Sequence, residues 1–443
     1  MLSLLLVAAS FLTADPDLLN AMPLHAAEGW HVDVGPGSVT IDGVEIALAD
    51  PVRLVVPEPE PISVKGEEYA LPLFNEKASG WTKGVNLRAL VTQECTATGL
   101  LRPETVVVRK IDGTVCALGK DYALDPLWGS IGRLELGAIA ADEKVLIDYT
   151  YGPARLDSIA MNEAGQVRLV VGTAGLGVDL PPALAKGEHH VGSVWNPGNL
   201  AALTEENLLP VEQIAVEATP PEYYPAEQFL PKTLAKLEAG EPVTIVAWGD
   251  SCTAGGGVGG DTTLWYQNQF AERLRKRYPK SEITLHTAAW PGYGSKNYLE
   301  APAGGEHDFQ RDVLDRKPDL VTMEWVNDAY LQGEALNTHY TLIMDKLRGA
   351  GAEPVIITPH LVRLDWMKMT SVKFDEDPRP YVQGLYTFAE ANGVAVADAS
   401  RTWCGLWRKG IPYTTLLANS INHPDVRGQV IFADALMALF PEE

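Results

Sequence analysis

Cysteine is scarce in this chain. There are four among 443 residues, Cys95, Cys116, Cys252 and Cys404, and none has Cys-x-x-Cys spacing. A structural zinc site is therefore not expected. Cys95 and Cys116 both fall in the N-terminal half and could form a local bridge, but four cysteines allow three pairings and sequence alone does not choose among them. Positive charge is also short: 35 Lys+Arg stand against 58 Asp+Glu, a formal net charge of -23. Such a surface repels phosphate backbones and anionic lipid heads, so neither nucleic acid nor a membrane surface is an expected partner. The acidic excess is spread along the chain and reads as solubilising. No uninterrupted apolar run reaches the length of a membrane-spanning helix.

What is present is the composition of ordinary globular protein, 46% hydrophobic and 21% charged, in a chain long enough for two or three domains. Met1 to Ala14 is apolar and ends in small residues. It reads as a short signal peptide with cleavage after Ala14, despite lacking Lys or Arg at its start, and implies a secreted or periplasmic protein.

From about residue 29 to residue 211 the pattern is of short strands and turns. Ser38-Val-Thr-Ile and Val44-Glu-Ile flank Asp42-Gly43. Thr105 to Arg109 and Cys116-Ala-Leu flank Asp112-Gly113. Both are hairpin signals. Val145–Tyr151 and Val167–Val171 add β-branched and aromatic runs, so a β-rich, sandwich-like accessory domain is expected. Residues 212–231 are rich in Pro and Glu and read as an extended linker. From 232 to 443 strands alternate with helices: strands at 243–247, 283–289, 320–325, 355–358 and 394–397, helices at 264–278, 309–317, 336–348, 381–392 and 430–439. That alternation predicts an α/β domain with a doubly wound, mainly parallel sheet. Ligands bind such sheets at the carboxyl ends of the strands.

The chemistry-bearing residues fall on loops just after these strands. Trp248-Gly249-Asp250-Ser251 follows the first, Trp290-Pro-Gly292-Tyr-Gly294 the second and Glu324-Trp-Val-Asn327-Asp328 the third. Asn419-Ser-Ile-Asn-His423-Pro424 precedes the final helix. Gly-Asp-Ser alone is a weak signal; the ordered set is far more specific. In that order the four stretches resemble the four blocks of the SGNH (GDSL-like) hydrolase superfamily. The resemblance covers the C-terminal half and implies a three-layer, flavodoxin-like fold and a serine esterase. It implies Ser251 as nucleophile and His423 as its base. The implied oxyanion hole consists of the Ser251 and Gly292 backbone N–H groups and the Asn327 amide. Serine needs a base within hydrogen-bond reach, and ester attack needs fixed donors where negative charge develops. Asp250 and Asp328 read as acceptors that orient loops.

The sequence departs from the family at one place. The family's Asp three residues before the histidine is Ser420 here, with Asn419 beside it. A neutral Ser420 or Asn419 can orient an imidazole but stabilises its charge less. The open readings are a Ser-His dyad, a carboxylate supplied by Asp365 or Asp425, and loss of activity.

The run Ala254 to Gly260 lacks the Lys-Ser/Thr ending of a phosphate loop and reads as a flexible loop beside the nucleophile. Gly-Asp-Ser-Cys-Thr253 is not the GxSxG of α/β-hydrolases. His189-His190 would point to opposite faces of a strand and is not expected to chelate. His360 reads as a structural histidine and Cys252 as buried packing or half of a bridge. Trp290, Tyr293, Trp325 and Tyr330 flank the oxyanion residues as a candidate sugar platform, the alternative being that some, Trp325 above all, are core. The resemblance and the export signal together imply an esterase for O-acyl groups on small or polymeric carbohydrate, with no cofactor and no metal. Acyl transfer through the same site, or a glycan-binding protein with a decayed hydrolase domain, are the alternatives.

Overall fold

The structure is a computed structural model describing residues 19–41, 44–177, 180–214 and 224–442. The signal-like segment Met1–Ala14, the Asp42-Gly43 turn and residues 215–223 of the expected linker lie outside the described residues. The chain divides into two compact units. One takes in residues 216–405 and 422–443; the other takes in residues 18–215 and 406–421.

In the C-terminal unit, strands β1 (Val243–Gly249), β2 (Ile283–Ala289), β3 (Leu320–Glu324), β4 (Glu353–Ile357) and β5 (Ala395–Ala397) form one parallel sheet in the order β2-β1-β3-β4-β5. This is the flavodoxin-like order, whose topological switch lies between β1 and β3. Every residue of β3 and β4 is buried, as expected for parallel strands covered on both faces. Its helices include α1 (Pro231–Ala239), α2 (Tyr266–Arg277), α3 (Ser295–Glu300), α4 (Gly333–Gly349), α5 (Pro380–Asn392) and α6 (Val426–Met437). In α2, Tyr266, Phe270 and Leu274 recur every four residues and are buried, while Arg275, Lys276 and Arg277 close the last turn, where cations suit the helix dipole. Helix α6 starts a turn earlier than its apolar pattern suggests, because Asp425 caps it through the N–H groups of Arg427 and Gly428 at 2.9 and 3.2 Å. Trp248, Met323, Trp325, Tyr298, Tyr340 and Ile343 belong to one core on this unit.

The other unit is built from antiparallel sheets of two to four strands. Gly37–Ile41 pairs with Val44–Leu48 as the hairpin signal predicts. Around Asp112-Gly113 the turn closes through Lys110 N–H to Thr114 O at 2.8 Å and a bridge of Arg109 with Val115. The full-length partner of strand Leu101–Lys110 is instead Lys144–Tyr151. Val32, Val34, Ile46, Ile159 and Val191 share one core.

Two expectations are corrected, and the open question of a cysteine bridge is answered. Residues 406–421, expected in the hydrolase domain, belong to the β-rich unit: Lys409 bridges Val211, Glu212 N–H donates to Arg408 O at 2.7 Å, and Ile421 packs with Trp128 and Cys95. Local apolar periodicity cannot reveal a segment that closes a core hundreds of residues away. The described part of the linker is not simply extended. Gln213–Ile214 pairs with Leu19–Asn20, and Pro225–Phe229 and α1 each begin with a proline at the first helical position, where a missing N–H costs nothing. The four cysteines are buried thiols with no bridge between any two, and Cys95 Sγ donates to Asn419 O at 2.6 Å.

Candidate active site

Ser251 follows β1 at the carboxyl edge of the sheet. The chain there makes a tight turn, with Ala254 N–H on Asp250 O at 3.0 Å and Gly256 N–H on Ser251 O at 2.7 Å. No regular helix begins until after residue 260, so the turn itself, not a helix dipole, surrounds the serine. Ser251 Oγ lies 3.0 Å from His423 Nε2, and both residues are buried. The loop brings them together across 172 positions of sequence.

The glycine run after Ser251 explains part of this placement. Gly257 has φ +91, and a Cβ there would meet Pro424 O at 2.2 Å and His423 C at 3.1 Å. A side chain would drive the histidine loop away. Gly256 and Gly257 are therefore a close-packed contact under His423 and Pro424, whereas Gly259 and Gly260 open onto free space.

Gly292 follows β2 with φ +80, and no protein atom lies within 4 Å of where its Cβ would be. The demand for glycine here comes from the left-handed backbone rather than from crowding. Asn327 follows β3, and its amide donates to Tyr293 O at 3.3 Å; the same NH2 carries a second hydrogen. The loops after β1, β2 and β3 are tied by two buried carboxyl groups. Asp250 accepts from Cys252 N–H at 3.1 Å and from Asn327 N–H at 3.0 Å. Asp328 accepts from Ser295 N–H at 2.9 Å, from Ser295 Oγ and from Tyr340 OH. Burial pushes the Asp328 carboxyl up to about 6 against the pull of those donors. Burial also raises Asp250, whose two N–H donors pull the other way.

The expected histidine orienters are placed as follows. Asn419 is buried; its side chain accepts from Ile421 N–H at 3.0 Å and donates to Glu94 at 3.3 Å. Ser420 is held at φ +59. Asp365 is engaged with Arg363, and Asp425 is spent on Arg427 and on capping α6.

Of the four aromatic candidates, Trp290, Tyr293 and Tyr330 remain at the surface of the site, and Trp325 does not. Trp325 is 1% exposed and packs against Trp248 at 4.9 Å between ring centroids, so it is core. A residue that continues an entirely buried parallel strand has nowhere to point but inward. Tyr293 is 45% and Tyr330 60% exposed. Trp290 stacks on Tyr293 at 4.2 Å and on His307 at 4.3 Å, giving a shelf of three rings beside Gly292. His307 was not legible as part of it, since it lies on an irregular loop with no motif around it.

His360 and Glu324 are further residues the sequence did not assign to the site. His360 is buried, and its Nε2–H donates to Asn422 O at 2.6 Å, the residue before His423. Burial pushes the imidazole down to about 3. Because its folded value lies below the ordinary 6.5, the unfolded chain binds the extra proton between those limits. This stability contribution is complete above pH 6.5 and is lost as pH falls toward 3. In His360→Gln, the stability difference between pH 7 and pH 5 is expected to shrink by about 2 kcal/mol, read from denaturant midpoints at the two pH values. Cys252, Glu324 and His360 bring one potential ligand atom each within 4.8 Å of one another, the described cluster nearest to a metal-site geometry. Burial keeps the imidazole neutral and raises the Glu324 acid, which leaves the cluster short of the charge a cation needs. His190 lies in the other unit, 2.9 Å from Ser193 Oγ, with burial pushing it down to about 4.

The parallel sheet thus carries a Ser–His pair and three tied loops at its carboxyl edge. Residues 247–431 match the model of the GDSL-like lipase/acylhydrolase family. Among solved structures, the chain is similar to a two-domain esterase active on acetylated mannans, at 18% identity and a TM-score of 0.39, covering 48% of this chain and 52% of that one. It is also similar to Axe2, an acetylxylan esterase from Geobacillus stearothermophilus, at 19% identity and TM-score 0.35 over 45% of this chain and 95% of that one. The acetyl xylan esterase AlAXEase gives 19% identity and TM-score 0.33 over 44% and 97%. The chain thus spans about half the length of the two-domain esterase. No curated protein matches it. Among the described residues, no helix is long and apolar enough to cross a membrane.

Proposed function

We propose that the domain is a serine esterase hydrolysing O-acyl groups, acetyl foremost, on carbohydrate. The single observation that carries the catalytic reading is the 3.0 Å approach of His423 Nε2 to Ser251 Oγ, within the range a general base needs. In this reading His423 takes the Ser251 proton as Oγ attacks the ester carbonyl. The tetrahedral oxyanion is held by the Ser251 and Gly292 N–H groups and the Asn327 amide. The proton then passes to the leaving alcohol, and water repeats the sequence on the acyl-enzyme. With Asp365 and Asp425 each paired to an arginine, the reading we favour is a Ser251–His423 pair without a carboxylate from either of them. A fluorophosphonate probe tests it: the wild type is expected to be labelled, and Ser251→Ala and His423→Ala to be silent. No labelling of folded wild type would favour a glycan-binding protein whose hydrolase domain has decayed.

The carbohydrate part rests on the His307–Trp290–Tyr293 shelf and on a neighbouring cavity of about 250 Å³ whose lining includes His286, Glu306, Asp312 and Arg316. A polar cavity beside an aromatic shelf suits a sugar and not a long acyl chain. Trp290→Ala is expected to raise KM for an acetylated oligosaccharide by up to about tenfold while leaving KM for a small aryl acetate unchanged. Equal effects on both substrates would remove the shelf from glycan recognition.

A further inference from the structure

We propose that Glu324 is a positioning residue that acts as a neutral acid, donating its proton in a hydrogen bond to Asp250 and so fixing the two loops that flank the oxyanion site.

Glu324 is the last residue of β3, three before Asn327, and is fully buried. Neither of its carboxyl oxygens has an N–H or O–H donor in hydrogen-bond geometry. Its polar neighbours are the backbone N–H of Val326, outside good hydrogen-bond geometry, and the carboxyl of Asp250, whose own backbone N–H reaches Glu324 O at 3.3 Å. Two ionised carboxylates side by side in a dry core repel each other and lose their hydration. One shared proton converts that repulsion into a charge-assisted hydrogen bond. The proton belongs on Glu324, because Asp250 already receives two backbone N–H groups, from Cys252 and Asn327, and each favours its ionised form. The groups facing Glu324 offer no compensating cation: Asp250 and Asp328 are acids, Tyr266 and the Tyr340–Tyr381 pair are buried phenols, and Cys252 and His360 are a thiol and a neutral imidazole. Burial and the neighbouring Asp250 charge accordingly raise Glu324 well above the ordinary carboxyl range.

The consequence is mechanical. Asp250 lies between the N–H after the nucleophile and the N–H of the oxyanion asparagine. With Glu324 donating from behind, the Asp250 carboxylate has a third fixed partner, and it cannot turn away without leaving a buried group unpaired. The oxyanion donors are then held in place before substrate arrives, which is where such donors derive their effect.

This inference rests on the esterase reading, and its tests separate the two. In the full-length protein, the infrared difference between wild type and Glu324→Gln at pH 8 is expected to contain the C=O stretch of a protonated carboxyl. Its absence overturns the proposal whether or not the protein turns over esters. In kinetics, Glu324→Gln, whose amide can still donate to Asp250, is expected to keep kcat within about threefold of wild type. Glu324→Met, of similar length but without a donor, is expected to lower kcat by about tenfold or more with KM nearly unchanged. A folded Glu324→Met with wild-type kcat overturns the proposal, as does a folded Glu324→Gln that is inactive, since that would mean the ionised carboxylate is needed. If Glu324→Met does not fold, Glu324→Gln and the infrared band still decide. Absence of any Ser251-dependent turnover in wild type would count against the esterase reading instead, and leave the infrared result to stand alone.

Discussion

Ser251→Ala is expected to lower kcat for ester hydrolysis by at least about 10³-fold with KM little changed. On the proposed mechanism Oγ is the atom that becomes bonded to the acyl carbon, and it stands 3.0 Å from His423 Nε2. On the same reading substrate binding uses other groups, the ring shelf and the oxyanion donors, so the ground-state complex is expected to survive. The residual rate would come from those donors alone. The neighbouring Cys252 thiol does not substitute, because it is buried behind the turn beside His360 and Asn422 O, at 3.9 and 3.8 Å. Progress curves with an aryl acetate and an acetylated oligosaccharide, corrected for active sites with the fluorophosphonate probe, give the measurement. A variant that keeps its turnover would remove Ser251 from the reaction and with it the acyl-enzyme.

His423→Ala is expected to cost a similar factor, and the double variant Ser251→Ala/His423→Ala to be no slower than either single one. On the proposed mechanism nucleophile and base act as one unit, so the second loss removes nothing the first left behind. The single histidine variant differs from the serine variant in one respect: the nucleophile remains. Added imidazole is therefore expected to restore part of the His423→Ala rate and none of the Ser251→Ala rate. The alanine leaves a gap beside Gly256, whose Cβ position would lie 3.1 Å from the His423 ring, and that gap is where the added base would enter. Rescue of both variants, or multiplicative losses in the double variant, would show that the two residues act separately.

Several features of the site could be read from the chain alone because they are local. The strand-loop rhythm of the C-terminal half follows from apolar runs broken by turn residues. Ser251, Gly292, Asn327 and His423 stand out through the resemblance of four ordered stretches to the SGNH hydrolase blocks, each beside a strand end or a helix start. The parallel sheet, with these loops at one edge, follows from the alternation of strand and helix. Charge composition was enough to set nucleic acid aside as an expectation.

Other features depend on which distant groups share a space. Trp325 and Trp290 sit in similar motifs, yet one is core and the other part of a shelf, because β3 is covered on both faces while β2 lies at the sheet edge. The glycines at 256 and 257 look like flexibility in one dimension and are a tight contact in three. Residues 406–421 belong to the β-rich unit through partners two to three hundred positions earlier. Glu324 reads as an ordinary acidic residue at a strand end until Asp250 is seen beside it. Sequence determines which chemistry is available and roughly where along the chain it lies. Burial and long-range pairing decide which groups hold a charge, which hold a proton and which hold another residue in place, because desolvation and hydrogen bonding depend on neighbours that sequence spacing does not specify.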